Sequence, residues 1–351
     1  MASGRSRFLG CFGLLVLGCG SESLLPTEPA PVEVPPLREP LGSSIAEPGK
    51  VRLFVGQDVT SIADYQRDVR EVTGAVSYTS LARLEGISEA QDSGGGAMFL
   101  DGLAAEYPGV PLALGLYLVD DLPNVLAGER DVQLAQLGQK LASYERPVLV
   151  RIGYEFDIDW AHYRADQYRE AFVKIGQALR AAAPRVQLVW HSAAACELSL
   201  RAREAFYPGD EYVDFVAVSL FSQSRCAFEP LIDLVGFARQ HHKPFFIAES
   251  TPQGFDLSEG TFSQDGRERE PVGPSAPYER WFEPFFAFIH QSTDVIRGVS
   301  YINSDWDRQR QWASPYKNGY FGDSRVQASS DIKARWLAEL ADPLWDVPRA
   351  P

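Results

Sequence analysis

Short runs of apolar and β-branched residues recur along the chain from residue 50 onward, and longer amphipathic stretches separate them. Continuous apolar runs of this kind are typical of strands buried on both faces, as in a parallel sheet. The pattern predicts strands over residues 51–55, 75–78, 111–117, 147–153, 186–190, 213–220, 244–249 and 298–302. Helical periodicity predicts helices over residues 63–72, 132–144, 165–183, 227–242, 278–291 and 330–340.

This alternation predicts an α/β fold, a single (β/α)₈ TIM barrel domain over residues 50–346, because eight strand–helix pairs in about 300 residues match that architecture. A doubly wound open sheet shows the same alternation. Its first strand would be followed by a glycine-rich phosphate loop, which is missing after residue 55. Barrel enzymes carry their chemistry at the carboxyl ends of the strands, so the polar residues at those ends are the candidates for function.

The N-terminal residues have the composition of an export signal. Arg5 and Arg7 precede an apolar stretch over residues 8–17 that is too short to stay as a membrane-spanning helix. Residues 16–19, VLGC, resemble the bacterial lipobox, and that resemblance implies removal of residues 1–18 and lipidation of Cys19. An ordinary signal peptide is the alternative. We therefore expect an exported bacterial lipoprotein at the outer membrane or the cell surface.

Residues 19–49 are rich in Pro, Glu and Ser and predict an extended tether without a core. The net charge of −14 argues against nucleic acid as a partner, and membrane contact is expected only through the lipid. The sequence shows no recognisable oligomer interface, and we expect a monomer.

Cysteine usage fits an exported protein. With Cys11 in the signal and Cys19 lipidated, Cys196 and Cys226 remain as an even pair, which predicts a disulfide. The 5 histidines are scattered, and no Cys/His cluster has zinc-ligand spacing, so neither a metal nor a cofactor is predicted.

Two carboxylates end strands on opposite sides of the predicted barrel. Glu155 follows the fourth strand and Glu249 ends the seventh, so their side chains can face each other across the barrel mouth. Retaining glycosidases place two carboxyl groups about 5–5.5 Å apart, one protonated as the acid and one ionised as the nucleophile. The structural alternative is that each glutamate pairs with an arginine such as Arg151 or caps a helix.

Catalytic glutamates after strands four and seven resemble the clan A glycoside hydrolases, and within that clan the chain is most similar to glycoside hydrolase family 26, which includes β-mannanases. Residues 205–221, AFYPGDEYVDFVAVSLF, resemble the family's sixth-strand region, and residues 53–59 and 243–250 resemble its first and nucleophile strands. The resemblance implies Glu155 as acid/base and Glu249 as nucleophile. The family usually has His where Tyr154 stands, and often Tyr where Phe221 stands, so the departures leave the sugar specificity open.

Other residues at the strand ends are candidates for binding sugar. Trp160 and Trp306 are candidate platforms for sugar rings, with packing against the last helix as the alternative for Trp306. Gln57 and Asp58 fit contacts to sugar hydroxyls. The remaining candidates are Tyr78, Arg151, Tyr154, His191 and Phe221, of which Arg151 can instead fill a barrel layer and His191 can be a satisfied strand-end histidine. The glycine-rich residues 93–96 and the loop over residues 254–277 are predicted to be flexible.

The favoured function is endo-acting, retaining hydrolysis of a β-linked polysaccharide. β-Mannan is the first candidate substrate, and β-1,3-xylan and β-glucan are next. A surface lipoprotein that binds glycan without cutting it is the alternative, and transglycosylation would use the same residues.

Overall fold

A closed barrel of eight parallel strands forms the centre of the domain. The computed structural model describes residues 45–47, 49–196, 198–221 and 229–346, so the predicted export signal, Cys19 and Cys226 lie outside the described residues. The strands are β1 (Arg52–Gly56), β2 (Ala75–Ser80), β3 (Leu112–Tyr117), β4 (Val148–Ile152), β5 (Val186–Ser192), β6 (Phe215–Leu220), β7 (Phe245–Ser250) and β8 (Ile296–Ile302). Each pairs in parallel with the next, and β8 closes onto β1, which confirms the predicted TIM barrel.

Helices cover the outside of the barrel. They are α1 (Val59–Asp68), α2 (Leu100–Glu106), α3 (Leu122–Ala127), α4 (Asp131–Ala142), α5 (Ala165–Ala182), α6 (Leu200–Glu204), α7 (Glu229–Gln240), α8 (Glu283–Gln291) and α9 (Ser330–Glu339). A π-helical turn, Tyr278–Phe282, leads into α8. Within the described part of the chain, no helix combines the length and apolar character needed to cross a membrane.

The barrel interior is filled by apolar side chains from alternating strand positions, among them Phe54, Leu149, Phe215 and Phe246. Ile45 joins this interior cluster and is only 1% exposed. Gly298, near the amino end of β8, leaves room for it, because a Cβ there would lie 3.1 Å from Ile45 Cδ1. Residues 45 and 46 thus belong to the barrel, although they are predicted to lie in the tether. Two apolar residues in a Pro-rich segment are too few to show the periodicity of a strand or a helix.

The loop after β7 contains regular secondary structure. Three short strands, Phe255–Asp256, Thr261–Phe262 and Glu270–Pro271, pair antiparallel in one small sheet. Arg269 Nη2 ties this sheet to the loop after β8 by donating to Asp307 Oδ2 (2.9 Å) and Tyr316 Oη (2.7 Å). The loop therefore forms a wall at the carboxyl end of the barrel, and its flexibility stays a prediction.

The glycine-rich residues 93–96 close a hairpin between the short strands Gln91–Asp92 and Ala97–Met98. Gly96 has a φ of 91°, and a Cβ at this position would lie 2.5 Å from Asp58 Cβ. The close approach of the hairpin to the start of α1 accounts for a glycine here.

Candidate active site

The two predicted carboxylates come together at the carboxyl end of the barrel. Glu249 lies near the end of β7 and Glu155 just after β4, and both are buried, with 7% and 8% exposure. Ser219 of β6 links them: it is in register with Glu249 on the neighbouring strand, and its hydroxyl donates to Glu155 Oε1 at 2.6 Å. Glu155 has a φ of 55°, in the left-handed region, a strained backbone of the kind that clusters at functional sites.

Arg151 of β4 holds Glu249. Its side chain is fully buried, and Nη1 donates to Glu249 Oε1 at 2.5 Å. The guanidinium also lies over the rings of Tyr78 (4.7 Å) and Tyr154 (5.3 Å). Space for it comes from Gly115 of β3, where a Cβ would lie 2.9 Å from Arg151 Nη2. Arg151 therefore has both of the roles that the sequence suggests: it pairs with a carboxylate, and it fills a layer of the barrel.

The electrostatic surroundings of the two carboxyl groups differ. Burial raises the pKa of Glu155 to about 8, the nearby negative charge of Glu249 adds to this, and the Ser219 hydrogen bond opposes it. Glu249, in contrast, has the Arg151 guanidinium in direct contact. The two carboxyl groups thus lie in different settings, one that favours the neutral form and one beside a positive charge, and such a difference suits acid-assisted nucleophilic attack on a sugar.

Aromatic and imidazole rings surround this pair. Tyr154 packs edge-on against Tyr78, with centroids 5.6 Å apart, and lies 6.3 Å from the His191 ring. Burial, and then the charge of Arg151, lowers the pKa of His191 well below its usual value, so the imidazole is neutral. Since His191 is completely buried, it presents no surface that a sugar could contact.

Trp160 and Tyr117 form the exposed rim of the site. They are 40% and 41% exposed, and their rings are nearly parallel (9°) with centroids 6.3 Å apart. A sugar does not fit between them, because two van der Waals contacts would need about 7–8 Å; it can only lie on an outer face of the pair. Tyr117 was not among the predicted binding residues, although its position at the end of β3 was a usable signal.

Asp58 and Gln57 use their polar atoms within the protein. Asp58 caps α1 by accepting from the backbone N–H groups of Thr60 and Ser61, and its second oxygen accepts from Gln309 Nε2 at 3.1 Å. Gln57 Nε2 donates to Gln309 Oε1 (3.1 Å) and to the Gly95 carbonyl (3.3 Å). The structure therefore gives both residues a role in joining α1, the glycine hairpin and the loop after β8.

Trp306 has no exposed face for a sugar, in contrast to its predicted role as a platform. It is 2% exposed, stacks on Phe321 with centroids 4.4 Å apart, and donates from Nε1 to Ser324 Oγ at 2.9 Å. Phe221 packs edge-on against the same Phe321 ring at 5.6 Å. Packing is therefore the role that the structure shows for Trp306, whereas Phe221 is only partly buried and its predicted contact with a sugar stays a prediction.

A buried ion pair holds the loop of the candidate acid. Asp157 Oδ2 accepts from Arg203 Nε (2.7 Å) and Ser192 Oγ (2.6 Å), and Oδ1 accepts from the Ala193 N–H at 2.6 Å. This joins the loop after β4 to the loop after β5, where Cys196 lies.

Among the described residues, no group of three or more His, Cys, Asp or Glu side chains could hold a metal ion.

Proteins similar to this chain are found by comparing sequences and by comparing structures. No protein-family model matches the chain. The β-1,3-xylanase TXYA of Vibrio sp is 34% identical over 299 residues, which are 84% of this chain and 65% of the relative. A β-1,3-xylanase of Alcaligenes sp is 33% identical over 84% of this chain and 64% of the relative. The chain therefore spans just under two thirds of the length of these relatives.

Solved structures with the same fold include two mannanases. An endo-β-1,4-mannanase double mutant of Cellulomonas fimi aligns with a TM-score of 0.59 and 14% identity, covering 86% of this chain and 72% of that one. The catalytic domain of a family 26 endo-β-1,4-mannanase of Bacillus sp. JAMB-750 aligns with a TM-score of 0.57 and 13% identity, covering 88% and 93%. These alignments confirm, at the level of the fold, the resemblance to glycoside hydrolase family 26.

Proposed function

We propose that this chain is a retaining glycoside hydrolase, with Glu155 as acid/base and Glu249 as nucleophile. The observation that carries the proposal is the pair of buried carboxyl groups in opposite settings: Glu155 has a pKa raised to about 8, while Glu249 is paired with Arg151. Glu249 attacks the anomeric carbon while Glu155 gives its proton to the leaving oxygen. Glu155, now ionised, then takes a proton from water, whose oxygen displaces Glu249 from the sugar carbon.

We propose β-1,3-xylan as the substrate, ahead of β-mannan and β-glucan. The relatives at 34% and 33% identity are named β-1,3-xylanases, whereas the mannanase structures share only 13–14% identity and support the fold alone. This reverses the order expected from the sequence. Endo action is supported by the rim formed by Trp160 and Tyr117, since exposed aromatic faces beside a cleft suit a chain that extends past the cleavage point.

The test compares the chain with Glu155→Gln and Glu249→Gln on β-1,3-xylan, β-mannan and β-glucans, with oligosaccharide release as the readout. We expect products of several lengths from one polymer, with both variants inactive. As a matched pair, Glu155→Ala and Glu249→Ala are assayed with azide and an aryl glycoside. Azide should yield the β-glycosyl azide with the first and the α-glycosyl azide with the second, because the anion replaces a different carboxylate in each. Binding of a polymer without any release would instead support the glycan-binding alternative.

We also propose that the protein is an exported lipoprotein, anchored to the outer membrane or cell surface through Cys19, and that its catalytic domain is monomeric. The support is the sequence of residues 1–20 and the Pro-rich segment that follows. Labelling with a fatty-acid precursor tests the anchor, with Cys19→Ser as the variant that should not be labelled. A larger species in analytical ultracentrifugation would contradict the monomer.

A disulfide between Cys196 and Cys226 belongs to the same proposal, because an even cysteine pair in an exported domain is usually oxidised. Thiol titration of the unfolded, unreduced protein carrying Cys19→Ser should find neither of these two sulfurs reactive. Reaction of both would contradict the pairing.

A further inference from the structure

Ser219 connects the candidate acid to a second buried polar side chain. Its hydroxyl donates to Glu155 Oε1 at 2.6 Å, and His191 Nε2 lies 3.0 Å from the same hydroxyl oxygen. All three side chains are buried, with 8% exposure for Glu155, 4% for Ser219 and 0% for His191. Glu155 comes from the loop after β4, Ser219 from β6 and His191 from β5, so the contact exists only in the closed barrel.

The direction of the Ser219–Glu155 hydrogen bond sets the direction of the His191–Ser219 hydrogen bond. In the direction that the structure gives, the Ser219 hydroxyl donates its one proton to Glu155 Oε1, so this oxygen accepts from His191 Nε2–H. A neutral imidazole also has one proton, which leaves Nδ1 bare. Among the described residues, no hydrogen bond of ordinary geometry reaches His191 Nδ1. Burial and the charge of Arg151 lower the pKa of the ring, and the backbone of Val218 opposes this only in part.

We propose that His191 and Ser219 form a relay that positions Glu155 by occupying Oε1, so that the transferable proton is carried on Oε2. A neutral carboxyl group accepts hydrogen bonds at its carbonyl oxygen, and the Ser219 bond makes Oε1 that oxygen. Among the described residues, hydrogen bonds to this carboxyl group involve Oε1 alone. The proposal rests on the proposed function of Glu155 as the acid, and it makes Ser219 and His191 positioning residues.

Several charged groups near Glu155 change the pKa of its carboxyl group, and the Ser219 hydrogen bond opposes the effect of most of them. Burial and the negative charges of Glu249 and Asp157 raise the pKa of this carboxyl group, while the Ser219 hydrogen bond and the charge of Arg151 lower it. The phenol of Tyr154 also adjoins it. Loss of the serine hydroxyl should therefore let Glu155 keep its proton to higher pH, an effect that a purely structural residue would not produce.

The experiment compares Ser219→Thr with Ser219→Val, which have the same shape and differ only in the hydroxyl group. We expect the threonine variant to keep the basic limb of the kcat/KM profile of wild type. The valine variant should move that limb to higher pH and lower kcat/KM at pH 7 by about tenfold or more, since a misplaced general acid loses part of its contribution. The loss should be smaller on an aryl glycoside whose leaving group needs no proton. Identical basic limbs in the two variants would overturn the relay.

A direct titration separates failure of the relay from failure of the proposed function. In ¹³C-glutamate-labelled protein, the resonance missing from Glu155→Gln identifies Glu155, and its titration needs no turnover. An upward shift in Ser219→Val but not in Ser219→Thr supports the relay even if no polysaccharide is cut. Equal titration in both variants overturns the relay even if hydrolysis is found. If Ser219→Val does not fold, by circular dichroism, Ser219→Ala is compared with wild type under the same criterion.

The second member of the relay is tested by replacing His191 with Gln, which keeps a donor near Nε2, and with Met, which has a similar length and no donor. The Glu155 titration should stay near wild type in His191→Gln and move to higher pH in His191→Met. Equal titrations in these two variants would remove His191 from the relay and leave Ser219 alone.

Discussion

Replacing Arg151 with Met would leave Glu249 as a buried carboxylate without its partner. The pair is almost completely removed from water, with side-chain exposures of 0% and 9%, so solvent screening does not weaken it. Loss of one partner from such a pair destabilises a protein by about 3–5 kcal/mol. We expect the free energy of unfolding of Arg151→Met to fall by that amount at pH 7, measured by urea denaturation followed through tryptophan fluorescence.

A double-mutant cycle shows whether the uncompensated charge is the cause. Glu249→Gln removes the charge, so adding Arg151→Met to it should have a much smaller effect than on wild type, with a coupling energy of at least about 2 kcal/mol. Arg151→Lys is the matched control: it keeps the positive charge and should lose less stability than Arg151→Met. The reasoning is refuted if the two substitutions are additive within about 0.5 kcal/mol, or if Arg151→Met loses less than about 1 kcal/mol.

Three further predictions follow from the geometry of the site. The pKa of Glu155, about 8 in the folded state against an ordinary 4.5, means that the folded protein keeps a proton which the unfolded chain has released, so this group lowers stability as pH rises between those values. Glu155→Gln should therefore gain stability relative to wild type between pH 5 and pH 8, by up to a few kcal/mol in urea titrations, and a constant difference would contradict the raised pKa. Trp160→Ala and Tyr117→Ala should raise KM for the polymer but leave kcat/KM for a short aryl glycoside unchanged, and their unfolding free energies should change by only about 0.5 kcal/mol. Gly115→Ala places a Cβ 2.5 Å from a tyrosine ring and should lower stability by about 1–3 kcal/mol in thermal melts, whereas Gly236→Ala, with nothing within 4 Å, should be neutral or stabilising.

The strands and the carboxylate pair could be predicted because their signals are local. Each barrel strand is an apolar run, and Glu155 and Glu249 stand directly at strand ends, where barrel chemistry lies. The ends of the helices were predicted less accurately than the strands. The helix α1 begins earlier than predicted because Asp58 caps it, a role that competes with the sugar contact expected from the same residue.

The remaining features depend on contacts between distant parts of the chain. Ser219 reads as one small residue in an apolar strand, and only the parallel register places it beside Glu249 and within reach of Glu155. Trp306 was predicted to face the cleft because it follows β8, but Phe321 covers it. Arg203 lies 46 residues from Asp157, and no periodicity connects the two.

Ile45 closes the barrel at the end opposite the two glutamates. The Arg52 Nε–H donates to its carbonyl oxygen at 3.0 Å, at the start of β1, so the chain enters the domain on that side. A protein trimmed to begin at residue 50 would lose this side chain and open a hole beneath Phe54 and Phe246. For anyone preparing the domain, the boundary thus belongs before residue 45.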